Sequence, residues 1–130
     1  MARHSCDRMK KAGIVAWAII AALFAFYMIT SVPFPFVQAW WHAADDDPHD
    51  LFSKRHRMAD WLVMTGALEG LSRGEVLAKL GQPPPTAKFT DYDLVYHLGD
   101  ERGFLSIDSE WLVMRLSQSG NVTESQVIRD

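Results

Sequence analysis

Cysteine is scarce in this sequence of 130 residues, in which Cys6 is the single example. One cysteine excludes a disulfide within the chain and any metal site built from several cysteines. Acidic residues are almost missing from residues 1–36, where Asp7 stands alone, although the whole chain has a formal charge of -3. The length leaves room for one small domain, which excludes a multidomain enzyme.

Sequence motifs for catalysis and nucleic-acid binding are missing as well. The chain has no H-E-x-x-H motif, no glycine-rich phosphate loop and no motif of an activated nucleophile. Residues 37–130 contain nine Lys/Arg and fifteen Asp/Glu, which leaves -6, and no basic stripe follows a phosphate backbone. His42, His49 and His56 recur every seven residues, whereas metal ligands on a helix need a spacing of three or four. We therefore expect no nucleic-acid binding, metal, cofactor or catalytic activity.

The longest apolar run, residues 12–32, contains no charged residue. At ~1.5 Å per residue such a run crosses a hydrocarbon core of ~30 Å as a helix. Four basic residues precede it, at Arg3, Arg8, Lys10 and Lys11. Because positive charge is retained in the cytoplasm, residues 1–11 are predicted to be cytoplasmic and the C-terminal part periplasmic. The sequence thus predicts a single-pass inner-membrane protein.

The segment 33–46 is predicted to be a linker, because Pro33 and Pro35 end helical geometry. Trp40 and Trp41 within it suit the membrane interface. An alternative is a signal peptide cleaved after Ala39, since small residues stand at the required spacing there. The length of the apolar run favours an uncleaved anchor, because signal peptides have shorter apolar regions. Cys6 precedes the run, so it does not fit a bacterial lipid anchor.

Two helices are predicted in the domain that follows, which we place at residues 47–130. The first runs from Asp47, a capping residue followed by Pro48, to about Met64, with Gly66 as its stop. The second covers residues 73–80, because Ser72 and Glu75 form a capping-box pattern.

Three strands follow the helices. Residues 92–98 alternate between apolar and more polar positions, with Tyr92, Leu94, Tyr96 and Leu98 on one face, and residues 110–117 alternate likewise. Turn residues 119–121 connect the second run to residues 122–129. The prediction is an α+β fold: after the transmembrane helix, a two-layer α-α-β-β-β sandwich with two helices on a three-stranded antiparallel sheet.

The stretch from Leu68 to Leu77, followed by Leu80-Gly81-Gln82-Pro83, resembles the glycine, capping box and Gly-x-Pro signature of the SmpA/OmlA/BamE-like domain family. Parts of the sheet half, such as Tyr96 to Gly99 and Asp108 to Leu112, are similar to small exported proteins of this architecture. The resemblance spans about residues 50–130. It implies an α-α-β-β-β fold, a cell-envelope location, no catalytic activity and binding to partner proteins. The chain departs from the family's outer-membrane lipoproteins, because no lipid-accepting cysteine follows its apolar run.

One candidate interaction surface surrounds the connection between the first two strands. It consists of Arg102, Asp108, Glu110 and Trp111. Arg102 is expected to pair with a neighbouring carboxylate and to order the loop. For Trp111 a role as an interface anchor and a role in the core or at the sheet edge both stay open. The sequence names neither the envelope protein that would bind here nor the oligomeric state.

Two further groups of residues have alternative interpretations. Lys54, Arg55 and Arg57 form a basic cluster that could face anionic lipids, although pairing with nearby aspartates is favoured. The alternative function is a small ligand-binding or hydrolytic exported protein. It would use the loop residues His97, Asp100, Glu101 and Asp108.

Overall fold

The computed structural model describes residues 2–44, 53–103, 105 and 107–130 of the chain. It divides into an N-terminal unit that ends at Val32 and a second unit, Pro33–Asp130. The chain is an α+β protein with a long apolar N-terminal helix and a three-stranded antiparallel sheet.

The first unit is a single helix, α1 (Ala2–Ser31). It begins ten residues before the predicted span, because the basic residues ahead of the apolar run continue the helix. Residues His4–Ser31 are long and apolar enough to cross a membrane, and none of their apolar window is buried. Pro33 follows the end of the helix, and the residue before a proline disfavours helical geometry.

The second unit begins with a helix that the sequence analysis did not predict. Within the expected linker 33–46, Gln38–Ala43 form α2. Trp41, expected at a membrane interface, is 1% exposed and belongs to the main core of this unit, whereas Trp40 is exposed. The Trp41 indole Nε1 donates to the Leu80 carbonyl oxygen at 2.9 Å. The sequence did not predict this helix, because nothing in residues 38–43 indicates the hydrogen bond between Trp41 and the distant Leu80.

The next two helices are α3 (Lys54–Thr65) and α4 (Arg73–Leu80). The predicted start of α3 at Asp47 to Asp50 lies outside the described residues. The helix that ends at Thr65 begins only after Ser53, whose left-handed backbone (φ 49°) interrupts helical geometry. Gly66 ends it with φ 66°, a conformation in which glycine avoids steric cost. The bounds of α4 are those predicted, and both hydrogen bonds of its capping box are present.

The sheet consists of β1 (Leu94–Asp100), β2 (Ser109–Leu116) and β3 (Val122–Arg129), paired antiparallel in that order. The strand β1 lies two residues further along the chain than predicted, because Tyr92 takes part in a turn with Phe89. The strand β2 begins and ends one residue earlier than predicted, and β3 has the predicted bounds.

Both faces of the sheet carry buried residues. One face belongs to the main core, which consists of Trp41, Met58, Ala59, Leu62, Leu68, Val76, Leu80, Leu94, Tyr96, Leu98, Leu112, Met114 and Val122. A smaller cluster lies on the other face and consists of Val95, Trp111 and Val113 with Phe89, Tyr92 and Ile128 packed against them. Tyr92 therefore does not share the face of Leu94, because it precedes the strand.

Candidate functional site

Glu110, at the start of β2, is the centre of a group of charged side chains. Glu110 is 1% exposed, and two arginine side chains contact its carboxylate. Arg102 donates from Nε to Oε2 at 2.8 Å and from Nη2 to Oε1 at 3.1 Å, a two-point contact. Arg129 on β3 donates from Nε to Oε1 at 3.3 Å. Two-point pairing between arginine and a carboxylate is both strong and directional. The prediction that Arg102 pairs with a nearby carboxylate is confirmed.

Helix α3 contributes two more members to this group. Arg102 Nη1 donates to Asp60 Oδ2 at 2.6 Å, across 42 residues of sequence. His56 Nε2 lies 3.3 Å from Glu110 Oε2 and 2.9 Å from the Asp100 carbonyl oxygen. His56 and Asp60 are four residues apart, so they share one face of the helix. We call His56, Asp60, Arg102, Glu110 and Arg129 the ionic cluster.

A glycine allows His56 to reach this position. Gly99 has φ +133° and is the β1 residue that pairs with Glu110. The register of the pairing between β1 and β2 shifts between His97 and Gly99. A Cβ atom at Gly99 would come within 3.0 Å of His56 Cε1, closer than packed atoms approach. The glycine therefore provides both the irregular backbone of the strand and the space for the imidazole.

The pKa shifts in the ionic cluster follow from burial and pairing. Burial alone would raise the pKa of Glu110, but the hydrogen bonds and charge of Arg102, with the charges of His56 and Arg129, hold it below the ordinary value. Burial alone would lower the pKa of Arg102, but its bonds to Glu110 and Asp60 raise it. Glu110 thus stays ionised at neutral pH, which is the opposite of what a general acid requires.

The ionic cluster holds the loop between β1 and β2, residues 101–108, of which 104 and 106 lie outside the described residues. The Glu101 amide donates to the Asp108 carbonyl oxygen at 2.8 Å, and Arg129 Nη1 contacts Glu101 Oε1 at 2.7 Å. Leu105 and Ile107 of this loop are 77% and 83% exposed. They are the most exposed large apolar side chains among the described residues of the second unit. A loop whose base is held by ion pairs thus carries two exposed apolar side chains.

The structure distributes the four residues of the sequence-based surface over different environments. Arg102 forms ion pairs with Asp60 and Glu110. Glu110 is buried, whereas Asp108 is exposed. Trp111 is 9% exposed and lies on the other face of the sheet. Its ring centroid is 4.6 Å from that of His97, and its Nε1 has no hydrogen-bond partner within the described part of the chain. Of the four, Asp108 therefore offers exposed area beside the loop, while Glu110 and Trp111 lie beneath the surface.

The basic cluster contacts aromatic side chains. Lys54 is exposed, whereas Arg55 donates from Nη2 to the Trp41 carbonyl oxygen at 2.6 Å and lies over the Trp41 ring. The Arg57 guanidinium lies 4.5 Å from the centre of the Phe34 ring. The pairing expected with residues 45–50 falls outside the described residues. Asp60 pairs with Arg102 instead.

The four residues of the alternative function lie in different surroundings. His97 packs against Trp111, and burial is the largest cause that lowers its pKa. Glu101 pairs with Arg129. An open cavity of about 220 Å³ is lined by residues between Pro83 and Val95, and none of the four contributes to it. Across the described ranges, no three His, Cys, Asp or Glu side chains lie together as metal ligands would.

A second polar arrangement joins α4 to the sheet. The Tyr96 hydroxyl donates to the Gly81 carbonyl oxygen at 2.8 Å, next to the bond between Trp41 and the Leu80 carbonyl. Two carbonyl groups left unpaired by the end of a helix are thus satisfied by aromatic side chains. Burial raises the pKa of Tyr96 to about 12. We call Trp41 and Tyr96, with these two carbonyl groups, the aromatic latch.

Comparisons with known proteins give no relative. No family model matches the chain, and no curated protein or solved structure matches it significantly. The resemblance of residues 68–83 to the SmpA/OmlA/BamE-like signature therefore stays a prediction.

Sequence reasoning missed His56, Asp60 and Arg129 as members of the ionic cluster. Asp60 and Arg102 are separated by 42 residues, and no local pattern predicts which of the many charged residues meet. One signal was available, since the spacing of four between His56 and Asp60 places both on one helix face. A glycine within a strand pattern, Gly99, was a second sign of close approach.

Proposed function

We propose that this protein is a single-pass inner-membrane protein whose second unit is a non-catalytic, periplasmic protein-interaction module of the cell envelope. In this proposal α1 is an uncleaved signal anchor with its N-terminus in the cytoplasm. The second unit is a two-layer module of the SmpA/OmlA/BamE-like kind, in which α3 and α4 cover one face of the sheet. The resemblance of the capped helix α4 and its Gly-x-Pro ending supports that part of the proposal.

The apolar helix and the basic residues before it support the anchor. The structure of residues 38–43 speaks against cleavage after Ala39. The bond between Ala39 and Trp40 lies inside α2, and Trp41 two residues later is buried in the core. Cleavage would also remove Phe34 and Phe36, which pack against that core.

The observation that carries the interaction role is the loop between β1 and β2. Leu105 and Ile107 are exposed, and the base of their loop is fixed by Arg102 between Glu110 and Asp60. Single exposed apolar residues are common on protein surfaces. Two on one loop whose base is held by ion pairs favour a role in binding, because fixing the base of the loop lowers the entropy cost of association. Within the ionic cluster, Arg102 and Arg129 pair with the carboxylates of Asp60 and Glu110.

The anchor is tested with the single cysteine. In intact spheroplasts, a membrane-impermeant maleimide is expected to leave Cys6 unlabelled and to label it after permeabilisation. The matched variant, Cys6→Ser with Thr123→Cys at an exposed position of β3, is expected to label in intact spheroplasts. An immunoblot should show the full-length chain. Labelling of Cys6 from outside, or a band shortened to begin near Trp40, would contradict the anchor.

The interaction role is tested with a photoreactive amino acid, p-benzoylphenylalanine, placed at Leu105 or Ile107 in the full-length protein in cells. Met64 is a suitable control position, because it is 68% exposed but stands alone at the end of α3. We expect discrete protein adducts from positions 105 and 107 and none at position 64. Equal adduct patterns at all three positions, or none at 105 and 107, would refute the loop as the binding surface.

A further inference from the structure

We propose that Leu105 and Ile107 insert into an apolar pocket of another envelope protein, and that the rim of this pocket carries lysine or arginine side chains. The inference rests on the proposed interaction role and adds the chemistry of the partner. It follows from the charges at the two ends of the loop that carries these side chains.

Two exposed carboxylates flank the loop. Asp100 and Asp108, at the two ends of the loop, are both exposed. In the described part of the chain, no lysine or arginine lies within ion-pairing distance of either carboxylate. The two arginines of the neighbourhood are already paired, since Arg102 contacts Asp60 and Glu110, and Arg129 contacts Glu101.

The side chain of Asp100 is not needed for the ionic cluster. His56 contacts the carbonyl oxygen of this residue, and the Asp108 carbonyl oxygen pairs with the Glu101 amide. Both residues thus fix the loop through their backbones and leave their carboxylates to the solvent. Asp108 directly follows Ile107, and the bond between the Glu101 amide and the Asp108 carbonyl brings the two ends of the loop together. A partner that buries the apolar side chains therefore meets negative charge, and complementary positive charge would guide it into register.

A lipid bilayer is a poorer partner for this loop. An anionic lipid surface attracts lysine and arginine rather than carboxylates. No lysine or arginine, tryptophan or tyrosine stands between Gly103 and Asp108. These residue types favour membrane interfaces.

A second copy of this chain is also a poorer partner. Residues 37–130 contain nine Lys/Arg against fifteen Asp/Glu, so two copies repel each other at long range. A protein with an apolar pocket and a basic rim satisfies both features of the loop at once. The pocket takes the two aliphatic side chains, and the rim pairs with Asp100 and Asp108.

The test uses the photoreactive residue at position 107 of the full-length protein in cells, combined with charge reversal. In the variant Asp100→Lys/Asp108→Lys, we expect the yield of the partner adduct to fall roughly tenfold, because like charges would then face each other. The matched control is Glu69→Lys/Asp91→Lys, which reverses two exposed acids elsewhere and is expected to leave the yield unchanged. Equal thermal unfolding midpoints for the two double variants would show that the fold is retained.

Mass spectrometry of the crosslinked peptide decides the partner's chemistry. Attachment within an apolar site flanked by lysine or arginine, with the loss on charge reversal, supports the inference. A partner adduct that is insensitive to charge reversal overturns the basic rim but leaves the interaction role intact. Adducts to a second copy of the chain, or to lipid alone, overturn the inference as well. Absence of adducts from both 105 and 107 overturns the proposed function itself.

Discussion

The ionic cluster and the aromatic latch connect helices to the sheet by different chemistry. In the ionic cluster, Arg102 joins Asp60 on α3 to Glu110 on β2 through charged hydrogen bonds. In the aromatic latch, Trp41 and Tyr96 donate neutral hydrogen bonds to the carbonyl groups at the end of α4 while their rings lie in the core.

The two kinds of contact have different effects on the position of the loop and on the stability of the unit. Buried ion pairs contribute little net stability, because desolvation offsets much of their attraction, but they fix geometry and are costly to break on one side. Buried aromatic rings stabilise through their large apolar area. The ionic cluster therefore sets the position of the loop, whereas the aromatic latch stabilises the unit and secures residues 33–43 within it. Breaking each one separately tests this division.

The largest effect is expected from Trp41→Ala in the aromatic latch. It removes a buried ring and leaves the Leu80 carbonyl oxygen without its donor, so the free energy of unfolding should fall by about 3–5 kcal/mol. The measurement is urea unfolding of the full-length protein in detergent micelles, followed by near-ultraviolet circular dichroism. Trp40→Ala is the matched control, because Trp40 is exposed, and it should cost no more than about 1 kcal/mol. Similar losses for both variants would refute the latch.

The next effect is expected from Glu110→Gln in the ionic cluster. The neutral amide loses the charged hydrogen bonds of Arg102 and should lower the free energy of unfolding by about 2–3 kcal/mol. Glu124→Gln is the control, since Glu124 pairs with Arg115 on the surface and should leave the midpoint unchanged. Because the loop loses its support, Glu110→Gln should also reduce the photocrosslinking yield at position 107. Trp41→Ala should leave the crosslinking yield at position 107 unchanged under conditions in which the second unit remains folded.

The ionic cluster also makes the free energy of unfolding depend on pH in the acidic range. The pKa of Glu110 is held below 4.5 in the folded state, so its ion pairs contribute fully above pH 4.5. That contribution is lost as the pH falls from there through the folded pKa, because the unfolded state then binds more protons. In Glu110→Gln the slope of unfolding free energy against pH in this range should be shallower. An unchanged slope would show that Glu110 is not the titrating group.

A smaller effect at the opposite end of the pH scale is expected from Tyr96→Phe. At neutral pH it removes one hydrogen bond and should cost about 1 kcal/mol. The pKa of Tyr96 is about 12 against 10 in the unfolded chain, so its contribution is present below pH 10 and is lost between pH 10 and 12. The variant should lose less stability than the parent across this window. Equal losses would show that another group is responsible.

The sequence predicted the elements whose causes are local. The capping box and Gly81 mark the bounds of α4, and turn residues 119–121 mark the start of β3. The elements it did not predict depend on distant contacts. Helix α2 has six residues and no capping side chain, and it is stabilised through Trp41, whose hydrogen-bond partner lies 39 residues further on. The helix predicted from Asp47 to about Met64 is interrupted at Ser53, which adopts a left-handed conformation that no local signal indicated.

The candidate site was predictable in part for the same reason. Arg102 and Glu110 are eight residues apart on the two ends of one connection, so their pairing could be expected from sequence. The contributions of Asp60, His56 and Arg129 could not, because they require the packing of α3 against the sheet. Trp111 is buried because Phe89 packs against it on the second face of the sheet. The alternating pattern had assigned that face to the more polar residues.

The smallest effect is expected at Ser72, where neither the ionic cluster nor the aromatic latch takes part. Its Oγ accepts from the Glu75 amide at 3.2 Å, and its own amide donates to Glu75 Oε2 at 2.9 Å. Ser72→Ala should lower the free energy of unfolding by about 1 kcal/mol, and Ser72→Asp, which can still accept the bond, should restore most of it. Neither variant should alter crosslinking at position 107 or the slope with pH. A change in either quantity would mean that the helix cap, the cluster and the latch act as one cooperative element, so that the division between positioning and stability would fail.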